Sequence, residues 1–440
     1  MDPFVIGIIG VIIAVVFLAI GVHIALTLGV VGMFGCIAIV GFEPALWQST
    51  SVVYNIVAAQ AFIVLPLFIF MGLLAGVGGI SKDIYTVLFK WVGNLRGGLG
   101  IATVMSSTAF GVCTGSSLVT AAVFSRISAP EMRRQGYDKK IAYGIVASAG
   151  SIGMLIPPSI LLVVYGIISQ VSVGKLLLAG LAPGLLLAVV FSVGIIVLTY
   201  IKPEWFGKRV RIEVTWKERF KSLILIWPIL LVALIVVGGI LGGIFSPTEA
   251  AAFGAATLLV LTLWMTKKGS RWDILTNCLK ETIVINAMVF FILFGAGLFA
   301  RFLMFSSITP QILGAVTSSG FSNFGFICMM ALIYLCMGCF MDSISMLSIT
   351  LPILTPVVAQ MGINPIYFAM VTVIAIECGL ITPPVGLNVY GAHGAAESDV
   401  SLEDVFKGSF PFFLMMLLAT VIIILFPGLS TFFPRIMMGG

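Results

Sequence analysis

Apolar residues run in long blocks along this chain, divided by short polar or glycine- and proline-rich breaks. The first block, 4–41, exceeds what one membrane crossing needs at about 1.5 Å of rise per residue, and Gly21-Val22-His23 interrupts it. Helices are therefore expected over 3–20 and 24–41, and a third over 52–80. Residues 81–97 mix Lys82, Lys90 and Arg96 with Tyr85 and Trp91, the pattern of an amphipathic arm lying at a membrane interface. Further apolar blocks predict helices over 175–200, 222–245, 248–266, 281–305 and 409–433.

Four blocks do not read as plain crossings. Two centre on a Pro-Pro pair: GSIGMLIPPS at 150–159, inside 140–170, and ECGLITPPVG at 377–386, inside 365–395. Proline has no N–H, so Pro157 and Pro158 free the carbonyls of Gly153 and Met154, and Pro383 and Pro384 free those of Gly379 and Leu380. In hydrocarbon such carbonyls are tolerated only where protein, water or an ion satisfies them, so each block is expected to be a broken helix. The other two blocks have turn-forming centres, GVCTGSS (111–117) inside 98–128 and GCFMDSIS (338–345) inside 322–358. Each is expected to be a re-entrant hairpin with its tip at mid-membrane; a plain spanning helix with small residues for packing is the alternative.

Composition narrows the class. The chain is 60% hydrophobic and 9% charged, which excludes a soluble domain and indicates an all-α polytopic membrane protein. The opening MDPFVIGIIG lacks a basic n-region, so no cleaved signal is expected. Seven cysteines scattered through apolar segments do not form a disulfide framework, and Cys336-x-x-Cys339 has no histidine or second pair beside it. No Walker A run, HExxH or GxGD-like motif is present, so neither a nucleotide-driven pump nor those enzyme classes is supported.

The net charge of +6 falls in loops and reports orientation, with no nucleic-acid partner implied. Basic clusters at 126–140, at 202–221 (Lys202, Lys208, Arg209, Arg211, Lys217, Arg219, Lys221) and at 267–280 (Lys267, Lys268, Arg271) all fall on one side when crossings are counted. That side is the cytoplasm. From 302 to 406 there is no lysine or arginine, and 397–407 is mildly acidic.

The halves align at an offset of 226: Pro130 with Pro356, Gly136 with Gly362, Gly153 with Gly379, Pro157 with Pro383, Pro158 with Pro384. The hairpin centres match within one residue of it, Gly111 with Gly338 and Ser116 with Ser343. The loop PEMRRQGYDKK (130–140) is basic whereas its mate PVVAQMGINPI (356–366) has no cation, so equivalent loops lie on opposite sides. This is an inverted-topology repeat, the architecture of secondary transporters.

These motifs, with FSPTEAAAFG at 245–254 between the halves, resemble the large membrane subunit of tripartite ATP-independent periplasmic (TRAP) transporters of the ion transporter superfamily, and general likeness leans toward the sialic acid branch. The resemblance implies a Na⁺-driven, binding-protein-dependent importer of an organic-acid anion, a sialic acid or a C4-dicarboxylate, in a bacterial inner membrane. It implies an elevator: a transport domain formed by 98–170 and 322–395 sliding against a scaffold formed by 1–97, 171–321 and 396–440. It also implies two partners, a periplasmic substrate-binding protein and a small four-helix membrane subunit, the latter expected as a separate polypeptide. A stand-alone Na⁺/dicarboxylate carrier of the same superfamily is the alternative, and an intramembrane enzyme using Asp342 and Glu377 a remote one.

Sodium takes oxygen ligands from unwound-helix carbonyls and hydroxyls, which suggests two sites. The first draws on Gly111, Cys113, Ser116, Gly150, Gly153 and Pro157, the second on Gly338, Asp342, Gly379, Thr382 and Pro383. An anionic substrate between the tips has Ser117, Thr120, Ser343, Ser345 and Asn388 as candidate ligands, each also able to bond its own helix. Asp342 and Glu377 are carboxylates in apolar surroundings and functional candidates on that ground. Arg301, the only cation from 281 to 406, either snorkels to the interface or contacts substrate or partner. Ser246, Pro247 and Glu249 are expected to cap a helix.

Overall fold

The computed structural model describes residues 2–207, 214–266, 271–308, 310–311, 314 and 322–438, and among these every regular element is a helix. Among the described residues six helices are long and apolar enough to cross a membrane: Val173–Ile201, Trp216–Leu241, Pro247–Met265, Arg271–Phe305, Ser343–Gln360 and Leu402–Leu425. Shorter apolar helices complete the fold as hairpins and broken helices. The capping expectation holds: Ser246 accepts from the N–H of Glu249, whose carboxylate accepts in return from the N–H of Ser246, with Pro247 in the first turn.

Helix boundaries differ from expectation in several places: the helix expected at 409–433 is two, Leu402–Leu425 and Gly428–Met438, and the one expected at 222–245 begins at Trp216. The block at 52–80 is not one helix: Phe42–Ala58 ends where Ala59 turns extended, a 3-10 turn covers Gln60–Ile63, and Val64–Val77 follows. Only Asn55 and Gln60 interrupt the apolar residues around that join, too little to separate two helices by hydropathy. Val64–Val77 then meets the amphipathic Ile80–Val92 at 63°, through Gly79 at φ +77°, a left-handed conformation that glycine adopts without strain. This is the expected arm, with Ile80, Ile84 and Val87 buried and Lys82 exposed.

The helix expected at 281–305 instead begins at Arg271, within the stretch expected as a basic loop, and runs 35 residues to Phe305. That length is about 50 Å, beyond the ~30 Å hydrocarbon layer, so Asp273, Lys280 and Glu281 continue the helix into polar surroundings. Lys208, Arg209, Arg211, Lys267 and Lys268 lie outside the described residues.

The repeat extends beyond the broken helices. At the same offset, Ile24–Val40 corresponds to Pro247–Met265, and Phe42–Val77 to Arg271–Phe305. The halves interlock: Ile24–Val40 packs along Arg271–Phe305, and its counterpart Pro247–Met265 packs along Val64–Val77. At the first crossing, a Cβ added at Gly32 would stand 2.6 Å from the Leu298 carbonyl carbon, and one at Gly295 would stand 2.4 Å from the Ala25 oxygen. Only glycines let those backbones touch, as in membrane helix pairs generally.

Candidate functional site

Both hairpins form. Gly98–Thr114 and Ser117–Arg134 are joined through Gly115, at φ +56°, and Ser116. Asn323–Gly338 and Ser343–Gln360 are joined through 339–342. Both broken helices form too: Lys139–Gly150 continues through a 3-10 turn to Met154 and resumes at Ile160–Ser169, and Pro365–Gly379 resumes at Leu387–Gly394. Both Pro-Pro bonds are cis.

Each hairpin tip lies on the broken helix of its own half, glycine against glycine. A Cβ at Gly111 would stand 2.9 Å from the Gly153 Cα, and one at Gly338 would stand 2.8 Å from the Gly379 Cα. One at Gly150 would stand 2.7 Å from the Ser117 carbonyl oxygen, and one at Gly153 2.9 Å from the Thr120 hydroxyl. Backbone hydrogen bonds reinforce each contact. The Ile160 N–H donates to the Gly115 carbonyl at 3.3 Å, and the Val385 N–H donates to the Cys339 carbonyl at 3.0 Å. The two regions differ in exposure: Pro157 and Pro158 are buried, whereas Pro383 and Pro384 are exposed.

The tip caps also correspond. Ser116 accepts from the Val119 N–H at 3.4 Å, and Asp342 accepts from the Ser345 N–H at 3.0 Å and from the Ser345 hydroxyl. Asp342 is therefore the true mate of Ser116, one residue from the pairing with Ser343 read in the sequence.

Three of the freed carbonyls find partners within the protein. Met154 O accepts from the Ser159 hydroxyl at 2.5 Å, Gly379 O from the Thr382 N–H at 3.0 Å, and Leu380 O from the Asn388 N–H at 3.1 Å. Each keeps a second lone pair. The Thr382 hydroxyl donates to Cys378 O at 2.7 Å. Cys113 is buried among apolar residues of the first tip.

The candidate substrate ligands have different partners. Thr120 donates to Ser116 O at 2.8 Å and meets Thr114 at 3.0 Å; Ser345 serves Asp342; Ser343 is buried at the start of its arm. Ser117 and Asn388 instead converge on Glu377, which is fully buried. The Ser117 hydroxyl donates to Oε1 at 3.3 Å and the Asn388 amide to Oε2 at 3.0 Å. The same amide donates to Ser151 Oγ at 3.0 Å. Sequence reasoning missed Ser151, although it stands at the position of Glu377 in the other repeat.

The second arm of the first hairpin continues along the end of the second broken helix. Ser125 donates to Ala392 O at 2.6 Å, and Arg133 pairs with Asp399 at 2.7 and 2.9 Å and with Glu397. Lys139 pairs with Asp404 at 2.8 Å. The Arg133 guanidinium holds the Asp399 carboxyl below the usual carboxylate range. These contacts put 397–404 on the same side as the basic loop 130–140, a placement the sequence supported only weakly.

A cleft of about 840 Å³ lies between Asn55, Phe62 and Leu293 on one wall and Gly166, Gln170 and Pro352 on the other. It contains none of the candidate ion or substrate ligands. Arg301 sits half-buried near the end of Arg271–Phe305, within electrostatic reach of Cys36 and in no ion pair among the described residues.

Comparison with known proteins assigns this architecture. The chain is 33% identical over 405 residues to the C4-dicarboxylate TRAP transporter large permease protein DctM of Pseudomonas aeruginosa, covering 92% of this chain and 93% of that one. It is 28% identical to the sialic acid TRAP transporter large permease protein SiaM of Vibrio cholerae, over 85% of this chain and 86% of that one. The isethionate TRAP transporter permease protein DctMQ of Oleidesulfovibrio alaskensis is 31% identical over 95% of this chain, which spans 64% of that longer protein. Among solved structures, the YdaH transporter of Alcanivorax borkumensis shares the fold with a TM-score of 0.62 at 14% identity, covering 88% of this chain and 89% of that one. The family model for the DctM component of the tripartite ATP-independent periplasmic transporter matches residues 11–429. The chain therefore belongs to that family, as a large membrane permease of a binding-protein-dependent transporter and not an enzyme.

Proposed function

We propose that this permease imports a small organic-acid anion across the bacterial inner membrane, driven by Na⁺, by an elevator movement. The observation that carries the proposal is the duplicated contact of tip on break, Gly111 on Gly153 and Gly338 on Gly379. Broken helices whose unwound carbonyls face hairpin tips in two repeats provide oxygen ligands for paired cations. Region one comprises Gly111, Cys113, Ser116, Gly150, Gly153 and Pro157; region two comprises Gly338, Asp342, Gly379, Thr382 and Pro383. The hairpins and broken helices form the moving body, and the cleft between Asn55–Phe62 and Gly166–Val173 supports a division from the scaffold there.

A separate small membrane subunit and a periplasmic binding protein complete the transporter. The sequence reading leaned toward sialic acid, whereas identity is higher to the C4-dicarboxylate relative than to the sialic acid one. We therefore place C4-dicarboxylates first and sialic acid second. Uptake into proteoliposomes holding both membrane subunits, supplied with the binding protein and labelled succinate or sialic acid, tests both parts. Na⁺-gradient-dependent uptake of one of them is expected, and uptake indifferent to Na⁺ overturns the mechanism.

A further inference from the structure

We propose that Glu377 and Asn388 couple the two ion regions, so that loading one sets the geometry of the other. This rests on the Na⁺ reading above. Ser117 and Ser151 belong to region one: Ser117 follows the cap Ser116, and Ser151 lies between Gly150 and Gly153. Glu377 stands two residues before Gly379, and Asn388 is the second residue of the helix after the second break. The hydrogen bonds from Ser117 and Asn388 to Glu377, and from Asn388 to Ser151, therefore join the first tip, the first break and both halves of the second broken helix. The second tip is attached to this group through the Gly338–Gly379 contact and the Val385–Cys339 hydrogen bond.

Position in the repeat explains why the link lies here. Ser151 and Glu377 are equivalent residues, so the internal symmetry brings the two breaks together at this point and Asn388 bridges them. Glu377 is 0% exposed and Asn388 1% exposed, and Glu377 has no ion pair among the described residues. Its hydrogen bonds therefore have no water to replace them if either break shifts, and a buried carboxylate that loses a donor is strongly destabilised. Asn388 Oδ1 accepts no hydrogen bond from the described protein, so the amide retains an unused acceptor with which to answer a movement of its neighbours. A change in the backbone of region one moves Ser117 and Ser151 against Glu377, and Glu377 passes it to Gly379. Glu377 and Asn388 act here as positioning residues, not as ligands.

The test is initial uptake against Na⁺ concentration, with choline as replacement, in the reconstituted complex of both membrane subunits and binding protein. The wild type is expected to respond sigmoidally. Glu377→Ala and Asn388→Ala are expected to lower the Hill coefficient to about 1 and to raise half-saturating Na⁺ at least about fivefold, the size of an ordinary coupling between sites. Glu377→Gln, which keeps an acceptor oxygen, restores part of the cooperativity. Ser117→Ala deletes one hydroxyl and decides the matter if the larger changes fail to fold. A wild-type Hill coefficient preserved in Ser117→Ala, Glu377→Ala or Asn388→Ala overturns the coupling, as does a non-cooperative wild type. Both outcomes leave Na⁺ drive intact; Na⁺-independent uptake by the wild type removes the reading beneath it instead.

Discussion

Asp342 accepts a hydrogen bond from the backbone N–H of Ser345 at 3.0 Å and a second from the Ser345 hydroxyl. The carboxylate proposed to hold an ion thus also caps the second arm of its hairpin, the place Ser116 fills with a neutral hydroxyl in the first. Charge and cap can be separated by substitution.

Asp342→Asn keeps a capping oxygen and loses the charge, whereas Asp342→Ala loses both. The alanine variant is expected to lose about 1 kcal/mol of stability, the usual worth of an N-cap, and the asparagine variant only a few tenths. Both should raise half-saturating Na⁺ by about tenfold if the carboxylate faces the ion, a difference of about 1.4 kcal/mol. Thermal melts and Na⁺ titrations on the same samples check this; an unchanged Na⁺ response in Asp342→Asn removes Asp342 from the site.

Gly338→Ala places a methyl 2.8 Å from the Gly379 Cα, where neither backbone can yield easily. The expected cost is about 1–3 kcal/mol, the range for overpacking, together with weakened Na⁺ activation. Gly428→Ala is the control, since nothing lies within 4 Å of its added Cβ. Equal melting temperatures for the two variants would contradict the close contact.

Gly32→Val tests the interlocked scaffold separately from the site. Its side chain would meet the Leu298 and Phe299 backbone at 2.6 Å, so the pairing of Ile24–Val40 with Arg271–Phe305 should open. Loss of folded protein by size-exclusion chromatography in detergent is the expected readout. Normal yield and melting would show that this crossing tolerates separation.

The Arg133–Asp399 pair makes a signed prediction for pH. Asp399 is held below its ordinary value of 3.8, so its contribution is present above that value and is lost as pH falls through its depressed folded-state pKa. Lowering the pH below about 4 should therefore destabilise the wild type more than Arg133→Gln, in which the pair is already absent. The pair is exposed, so the difference should shrink in high salt. Parallel melting curves for the two proteins across that acid range would exclude the pair as a contributor.

The sequence determined what local chemistry dictates. Apolar blocks marked most of the helices, because crossing hydrocarbon requires an uninterrupted apolar stretch. Pro157-Pro158 and Pro383-Pro384 marked the two breaks, because proline removes a donor wherever it stands. The recurrence of glycines and prolines in one register revealed the duplication, and the Ser246-Pro247-x-Glu249 run its capped helix. All of these signals lie within a few residues of what they specify.

Tertiary structure alone decided the rest. The break at Ala59 is weakly marked in hydropathy, since around it only Asn55 and Gln60 interrupt the apolar residues. The extra turns from Arg271 were hidden because charged residues suit a loop and a protruding helix alike. The partners of Ser117, Asn388 and Glu377 could not be read, because Ser117 and Glu377 lie 260 residues apart in the chain. A hydroxyl carries no record of whether it will bond its own helix, a substrate or a distant carboxylate. Only the packing of the two halves, which brings Ser151 and Glu377 together around Asn388, makes that choice.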